Sequence, residues 1–366
     1  PLDHAHDRAE ALAVALTRRP EGGEAGGEGP PLPEDPRSLV ARFTLPLAVD
    51  LLVAAVARSR TRGRVHLARL ADLHPTTTRR RLRALADSDD PVLAPTAREV
   101  LGELPLPPER PVRIGVLGPS RLMRGGEEVD DPHWRRAKVR HLLLLLVTRR
   151  GVRREELGHL LWPDKDEAAA ARNLRLTVHY LQSLLEPERE KGDAPYLLQQ
   201  DGGMVRLREG DHLQVDAWAF EEALDGAEAA LRQSTPSVAL PRFEEALAWW
   251  RGECLADVSD QEWAADERRR LTSRFVEAAC RAGELLVAAG RHQDAVRLTT
   301  RALEAEPWSE RAYRVQVAAH LAGGDRATAR RSLEACRTML DDLGAGASEA
   351  LRALDARVDG PWRPAP

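Results

Sequence analysis

Between Asp166 and Glu186 the residues Leu174, Val178, Leu181 and Leu185 recur at three- and four-residue spacing. At 100° per residue they fall on one narrow stripe, which predicts a helix bound to a core along one face. The opposite arc carries Arg172, Arg175, Leu176, His179, Tyr180 and Ser183. That arc is mixed in character and free to touch another molecule. Two shorter stripes precede it. Val139, Leu142, Leu143, Leu146 and Val147 predict a helix over Arg135 to Arg149, and Leu157, Leu160 and Leu161 predict one over Arg153 to Trp162 that Pro163 stops.

Strand patterns flank these helices. Alternation over Val112 to Leu117, then Arg121 to Arg124 and a Gly125-Gly126 turn into Glu128-Val129, predicts a small antiparallel sheet. After the third helix, Tyr196 to Leu207 reads as a hairpin, with Asp201-Gly202-Gly203 supplying the positive φ of a tight turn. Three helices closed by a hairpin form the winged helix-turn-helix plan, in which the last helix enters a DNA groove. As a wing, the hairpin puts Arg206, and Arg208 after it, near a phosphate or the minor groove. The loop from Pro163 to Glu167 is longer and more charged than a tight turn, and is left open to a protein partner.

The chain on either side is helical. Residues 1–38 read as a short helix and a flexible linker, since EGGEAGGEGPPLPEDP cannot bury enough to fold. Residues 39–110 are expected to be helical, with 74–104 as a HEAT-like pair joined at Asp89-Asp90-Pro91. The stretch 67–85 also has the rhythm of a second DNA-reading helix-turn-helix, exposing Arg79, Arg80, Arg81 and Arg83. From 211 to 358 helix succeeds helix, ahead of a tail, 359–366. Gly283, Ala295, Ala302 and Pro307 sit at tetratricopeptide spacing, and a shift of 34 residues brings Ala295 onto Ala329 and Ala302 onto Cys336. Gly290 and Gly323-Gly324 mark the turns. The predicted fold is mainly α: an N-terminal helical segment, a winged helix-turn-helix (α+β) over 111–210, and an all-α tetratricopeptide-like domain.

Composition narrows the function without naming it. Of 54 basic residues only Lys138, Lys165 and Lys191 are lysine, a pattern expected of a GC-rich bacterial genome. Residues 111–210 carry 18 basic against 15 acidic groups, and 211–366 carry 20 against 27. A mildly basic middle is compatible with DNA, but that excess is a weak footprint. Uncharged apolar runs such as Leu142 to Val147 are far too short to span a bilayer, no signal peptide opens the chain, and a cytoplasmic protein without membrane attachment is expected. Three widely spaced cysteines, Cys254, Cys280 and Cys336, read as small buried residues in a reducing compartment. Trp249, Trp250 and Trp263 read as packing anchors.

The segments VRIGVLGPSRLMRGG and RRAKVRHLLLLLVTRRGVRREELGHLLWPDKDEAAAARNLRLTVHYLQSLLEPER resemble the OmpR-type winged-helix domain of the Streptomyces antibiotic regulatory protein family. C-terminal to them, VDAWAFEEAL, ALAWWRGECLADVSDQEWAADERRRL and the repeats to Val358 look like the bacterial transcriptional activator domain that accompanies it. The resemblance spans about 112–358. It implies a transcriptional activator that binds direct repeats in double-stranded promoter DNA, helps recruit RNA polymerase, and uses its repeats for that contact or for homodimerisation. Large members carry an ATPase or sensor module ahead of the DNA-binding part. The start at Pro1 and the helical 39–104 fit the tail of such a module.

Carried over by position, the groove-facing residues are Arg175, Leu176, His179 and Tyr180, with Arg172, Gln182 and Ser183 beside them. Arg153 and Arg154, at the start of the second helix, hold phosphates with help from that helix's dipole. Arg135, Arg136 and Lys138 are candidates for the same role. Relatives usually carry arginine at one or more of the places where this chain has Tyr180, Gln182 and Ser183, so weak single-site affinity, a shallow salt slope and tandem binding are expected.

Enzymatic readings find no footing in the pattern. His179 has no second ligand at i±4 and no paired acid, no phosphate-loop or dinucleotide fingerprint occurs, and no catalytic constellation is present. No cofactor and no metal are expected. The rival reading is a protein-interaction scaffold whose winged helix grips protein rather than DNA.

Overall fold

The computed structural model describes residues 43–359 apart from 59, 234 and 235. The short helix and linker expected over 1–38 and the tail from 360 lie outside the described residues. Contacts divide the chain in two: the described residues up to Val112 join Val129–Leu213, and Arg113–Glu128 join the residues from Gln214 onward.

In the first unit, α1 (Leu45–Arg58), α2 (Arg60–Leu73), α3 (Pro75–Ala86) and α4 (Leu93–Glu103) enclose a core that includes Val49, Leu52, Leu67, Leu70, Leu82 and Val100. Pro75 opens α3, where a missing N–H costs nothing. At the Asp89-Asp90-Pro91 junction the Asp90 carboxylate accepts from the N–H groups of Val92 and Leu93, at 2.8 and 2.7 Å, and so starts α4.

The basic face of α3 is spent inside the protein. Arg79 is only 2% exposed and donates to the carbonyls of Leu106 and Pro107 at 2.9 and 3.0 Å. Burial, and then the neighbouring Arg83 charge, pull its guanidinium below its ordinary range. Arg81 forks onto Asp50 with two 2.6 Å bonds. Arg83 donates to the Glu188 carbonyl at 2.6 Å and to Asp193 at 3.0 Å. Of the four arginines only Arg80 is exposed, so 67–85 is not the exposed basic reader that its spacing also allowed.

The same unit continues with α5 (Ala137–Arg149), β4 (Val152–Arg153), α6 (Arg154–Leu161), α7 (Glu167–Leu185), β5 (Leu198–Asp201) and β6 (Met204–Leu207). Six consecutive residues of α5, Leu142 to Val147, are buried, wider than the predicted stripe. Leu160 of α6 is half-buried rather than buried. β6 pairs antiparallel with both β4 and β5. The β5–β6 turn forms as its glycines demand, with φ of 53° at Gly202 and 80° at Gly203.

The second unit begins with β1 (Val112–Gly115), β2 (Arg121–Arg124) and β3 (Glu127–Glu128), which form a sheet in the order β3-β2-β1-β7 with β7 (Leu213–Val215). Its helices are α8 (Asp216–Gln233), α9 (Pro236–Ala248), α10 (Glu262–Ala288), α11 (His292–Ala305), α12 (Glu310–Ala322), α13 (Arg326–Asp342) and α14 (Glu349–Asp359). The repeat positions Ala295, Ala302, Ala329 and Cys336 are fully buried, and Gly290 and Gly324 take positive φ at the turns. Trp250 is a packing anchor, stacked on Phe275 with centroids 4.4 Å apart. The three cysteines are free and buried, and burial pushes the Cys280 and Cys336 thiols up to about 11. The chain is mainly α, a winged helix followed by all-α repeats. No helix among the described residues is long and apolar enough to cross a membrane.

Candidate nucleic-acid interface

Helix α7 is fixed at both ends. Asp166 caps its start, accepting from the Ala169 N–H at 2.7 Å. Glu186, just past its last turn, is buried and accepts from the N–H groups of Tyr196 and Leu197 at 2.9 and 2.6 Å. Burial pushes its carboxyl above the usual range, and those N–H groups pull the other way. Glu186 therefore ties the end of the helix to the start of the wing. Sequence patterning assigns it no role, since an acid at a helix end looks like ordinary surface.

Packing against α5 and α6 buries Ala170, Leu174, Thr177, Val178, Leu181, Leu184 and Leu185. It also buries Gln182, which is 8% exposed, so Gln182 does not stand beside the groove-facing residues as the resemblance implies. Its neighbours Leu181, Leu184 and Leu185 all face the core, and the buried face is wide enough to take in the residue between them. Tyr180 is corrected in part. It is half-buried, stacked on His133 with centroids 4.1 Å apart, and covered by the Arg136 guanidinium at 4.6 Å.

Five of the predicted residues stay on the open arc: Arg172, Arg175, Leu176, His179 and Ser183. Leu176 is 50% exposed. Arg172 and Arg175 form no ion pair among the described residues. The Ser183 hydroxyl donates back to the His179 carbonyl at 3.0 Å. The face thus offers two free guanidinium groups, an imidazole and an apolar patch.

Around the helix, Arg153 is exposed on β4, paired in register with Met204. Arg154 anchors the wing instead of standing free: its N–H donates to the Gly203 carbonyl at 2.9 Å and its side chain bonds Gln200. Arg206 is exposed and donates across the hairpin to Gln199 at 3.0 Å, in the register that pairs those two residues. Arg208 lies over the Tyr196 ring at 4.3 Å and is taken up by the fold. Arg135 pairs with Asp130 at 2.6 Å on the surface, Arg136 is exposed over Tyr180, and Lys138 is half-buried. The loop 163–167 is exposed throughout. Among the described residues no cluster of three or more His, Cys, Asp or Glu could hold a metal ion.

A winged helix joined to tetratricopeptide-like repeats defines a class of transcriptional regulator, and comparison with known proteins agrees. Residues 215–359 match the family model described as the bacterial transcriptional activator domain. The transcriptional regulatory protein MoaR1, from Mycobacterium bovis and from Mycobacterium tuberculosis, is 25% identical over 251 residues, 68% of this chain and 79% of MoaR1. A solved structure of Mycobacterium tuberculosis EmbR in complex with a low-affinity phosphopeptide is similar at a TM-score of 0.58 and 25% identity, covering 68% of this chain. The chain spans 65% of that EmbR chain. The chain therefore carries a bacterial transcriptional activator domain and is similar to transcriptional regulators.

Proposed function

We propose that the protein activates transcription by inserting α7 into the major groove of promoter DNA, with Arg172, Arg175, Leu176 and His179 toward the base edges. The observation that carries this reading is the pair of unpaired arginines on the open face of a helix whose other face is core. Arginine in that setting reads guanine bidentately, and Leu176 suits a thymine methyl. Arg153 and Arg206 neutralise phosphates, and Arg154 shapes the wing that presents Arg206. The open 163–167 loop and the acidic repeats supply the contact with RNA polymerase or with a second copy of the chain. Such a regulator works in the cytoplasm, where a bacterial chromosome is reached.

The test is a gel-shift series over salt concentration with two double variants. R172A/R175A should lose sequence preference while keeping binding to random duplex. R153A/R206A should weaken binding to all sequences alike and lower the salt slope by about one unit per lost phosphate contact. Unchanged preference in the first variant refutes the reading face. Wild-type affinity without salt dependence would favour a protein-binding scaffold over DNA binding.

A further inference from the structure

The second unit contains a cavity of about 410 Å³ between α10, α11 and the loop after α9, and Arg251, Arg268 and Arg301 line it. Arg251 is neutralised by Asp216 at 2.6 Å. Arg268 and Arg301 have no carboxylate partner among the described residues. Backbone carbonyls hold them instead. Arg268 donates to Val258 at 3.0 Å and Ser259 at 3.4 Å, while Arg301 donates to Trp250 and Leu247 and lies 5.5 Å from the Phe275 ring centroid.

A carbonyl fixes a guanidinium in place without cancelling its charge, and each arginine has five N–H donors to satisfy. The Nε of Arg268 is buried with no partner. The two carboxylates on the wall, Glu253 and Glu304, are exposed, whereas both arginines are half-buried. Two preset, uncancelled forks in a cavity of ligand size are the arrangement that binds an oxyanion.

The loop that supplies Trp250 to Glu253 to the wall ends, just outside the lining, in a strained residue. Leu255 is fully buried at φ 56°, a conformation that a bulky residue keeps only where its surroundings impose it. The imposing contacts are visible: Leu255 N–H donates to the Val116 carbonyl at 2.9 Å and Arg251 N–H to the Leu117 carbonyl at 3.0 Å. From the other side the Asp216 carboxylate accepts from the N–H groups of Val116 and Leu117. The loop that walls the cavity is therefore the loop that clamps the end of β1.

We propose that this cavity is an effector site for a compact molecule bearing a carboxylate or phosphate head, seated between Arg268 and Arg301. Occupancy braces the Trp250–Leu255 loop and, through it, the clamp on Val116 and Leu117. The site is independent of the DNA-reading face.

Calorimetric titration of the whole chain with inorganic phosphate, and separately with succinate, at constant ionic strength tests it. At least one probe should bind saturably, and their ranking separates a phosphate from a carboxylate ligand. Arg268→Gln should weaken that binding by about tenfold or more. Ala305→Trp, which fills the cavity and leaves every arginine in place, should abolish it with the ligand-free melting temperature near that of the wild type. If Arg268→Gln fails to fold, Ala305→Trp decides alone. No saturable binding of either probe, or wild-type binding in Ala305→Trp, overturns the proposal, because phosphate held by the reading face would survive both substitutions.

Discussion

The ring of Tyr180 lies almost parallel to the imidazole of His133, 15° between planes and 4.1 Å between centroids, under the guanidinium of Arg136. A residue expected to read bases thus fastens the segment ahead of α5 to α7. Tyr180→Ala should cost about 1–2 kcal/mol for the lost stack and cation–π contact. Tyr180→Phe keeps the ring and should stay within about 0.5 kcal/mol of the wild type. Urea unfolding measures both, and sequence preference in Tyr180→Phe should be unaltered. Equal stability of all three proteins would make the stack incidental.

Arg83 bridges α3 to the loop after α7 through Asp193, Glu190 and the Glu188 carbonyl. Asp193 sits in turn 3.6 Å from buried Arg79. Removing one partner leaves the others imperfectly compensated, so Arg83→Ala should cost about 1–3 kcal/mol. Amide exchange should quicken across 187–195. Arg80→Ala, on the exposed side of the same helix, should stay within about 0.5 kcal/mol. Equal effects from the two substitutions would show that the bridge adds nothing beyond a surface charge.

The same residues show what a sequence can and cannot disclose. Local periodicity and turn chemistry made α7, the Gly202-Gly203 hairpin and the small-residue repeat positions legible, because each is decided within one or two turns of chain. The five exposed residues on the open arc of α7 were legible for that reason. Gln182 was not, since its polarity says surface while packing on two other helices widens the buried face. The fate of the α3 arginines was equally hidden: Arg83 and Asp193 are 110 residues apart, and Val116 and Asp216 are 100 apart. Patterning exposes a charge but not the partner that consumes it.

Asp216 gives the protein a pH signature of known sign. Burial raises its carboxyl above the ordinary range, opposed by the N–H groups of Val116 and Leu117 and by Arg251. The folded state then holds this proton more tightly than the unfolded chain does. Its contribution is fully present below the unfolded value of about 3.9 and is lost as pH rises through the higher folded value. Asp216→Asn has no such titration. The stability of the wild type relative to Asp216→Asn should therefore fall as pH rises above about 4, and level off once the folded carboxyl has ionised. Melting temperatures of both proteins across that range measure the gap. A gap that widens in favour of the wild type with rising pH would contradict the assigned direction.

Two glycines separate a side-chain clash from a backbone one. A Cβ on Gly283 in α10 would lie 2.8 Å from Cγ1 of Val315 in α12, a stiff side chain that is 5% exposed. A Cβ on Gly63 in α2 would lie 2.7 Å from the backbone nitrogen of Val56 in α1. Overpacking of this kind costs about 1–3 kcal/mol, so Gly283→Ala and Gly63→Ala should both destabilise. They should differ in rescue. Val315→Ala makes room for the methyl that Gly283→Ala introduces, and the double variant should be more stable than the sum of the single effects, with a coupling of about 1 kcal/mol or more. Val56→Ala leaves the offending nitrogen where it is, so combining it with Gly63→Ala should bring only the relief of the 2.8 Å contact to Val56 Cγ2 and no full recovery. Chemical denaturation of the two cycles reads this out, and strict additivity of Gly283→Ala with Val315→Ala would mean that the two helices shift apart instead of clashing.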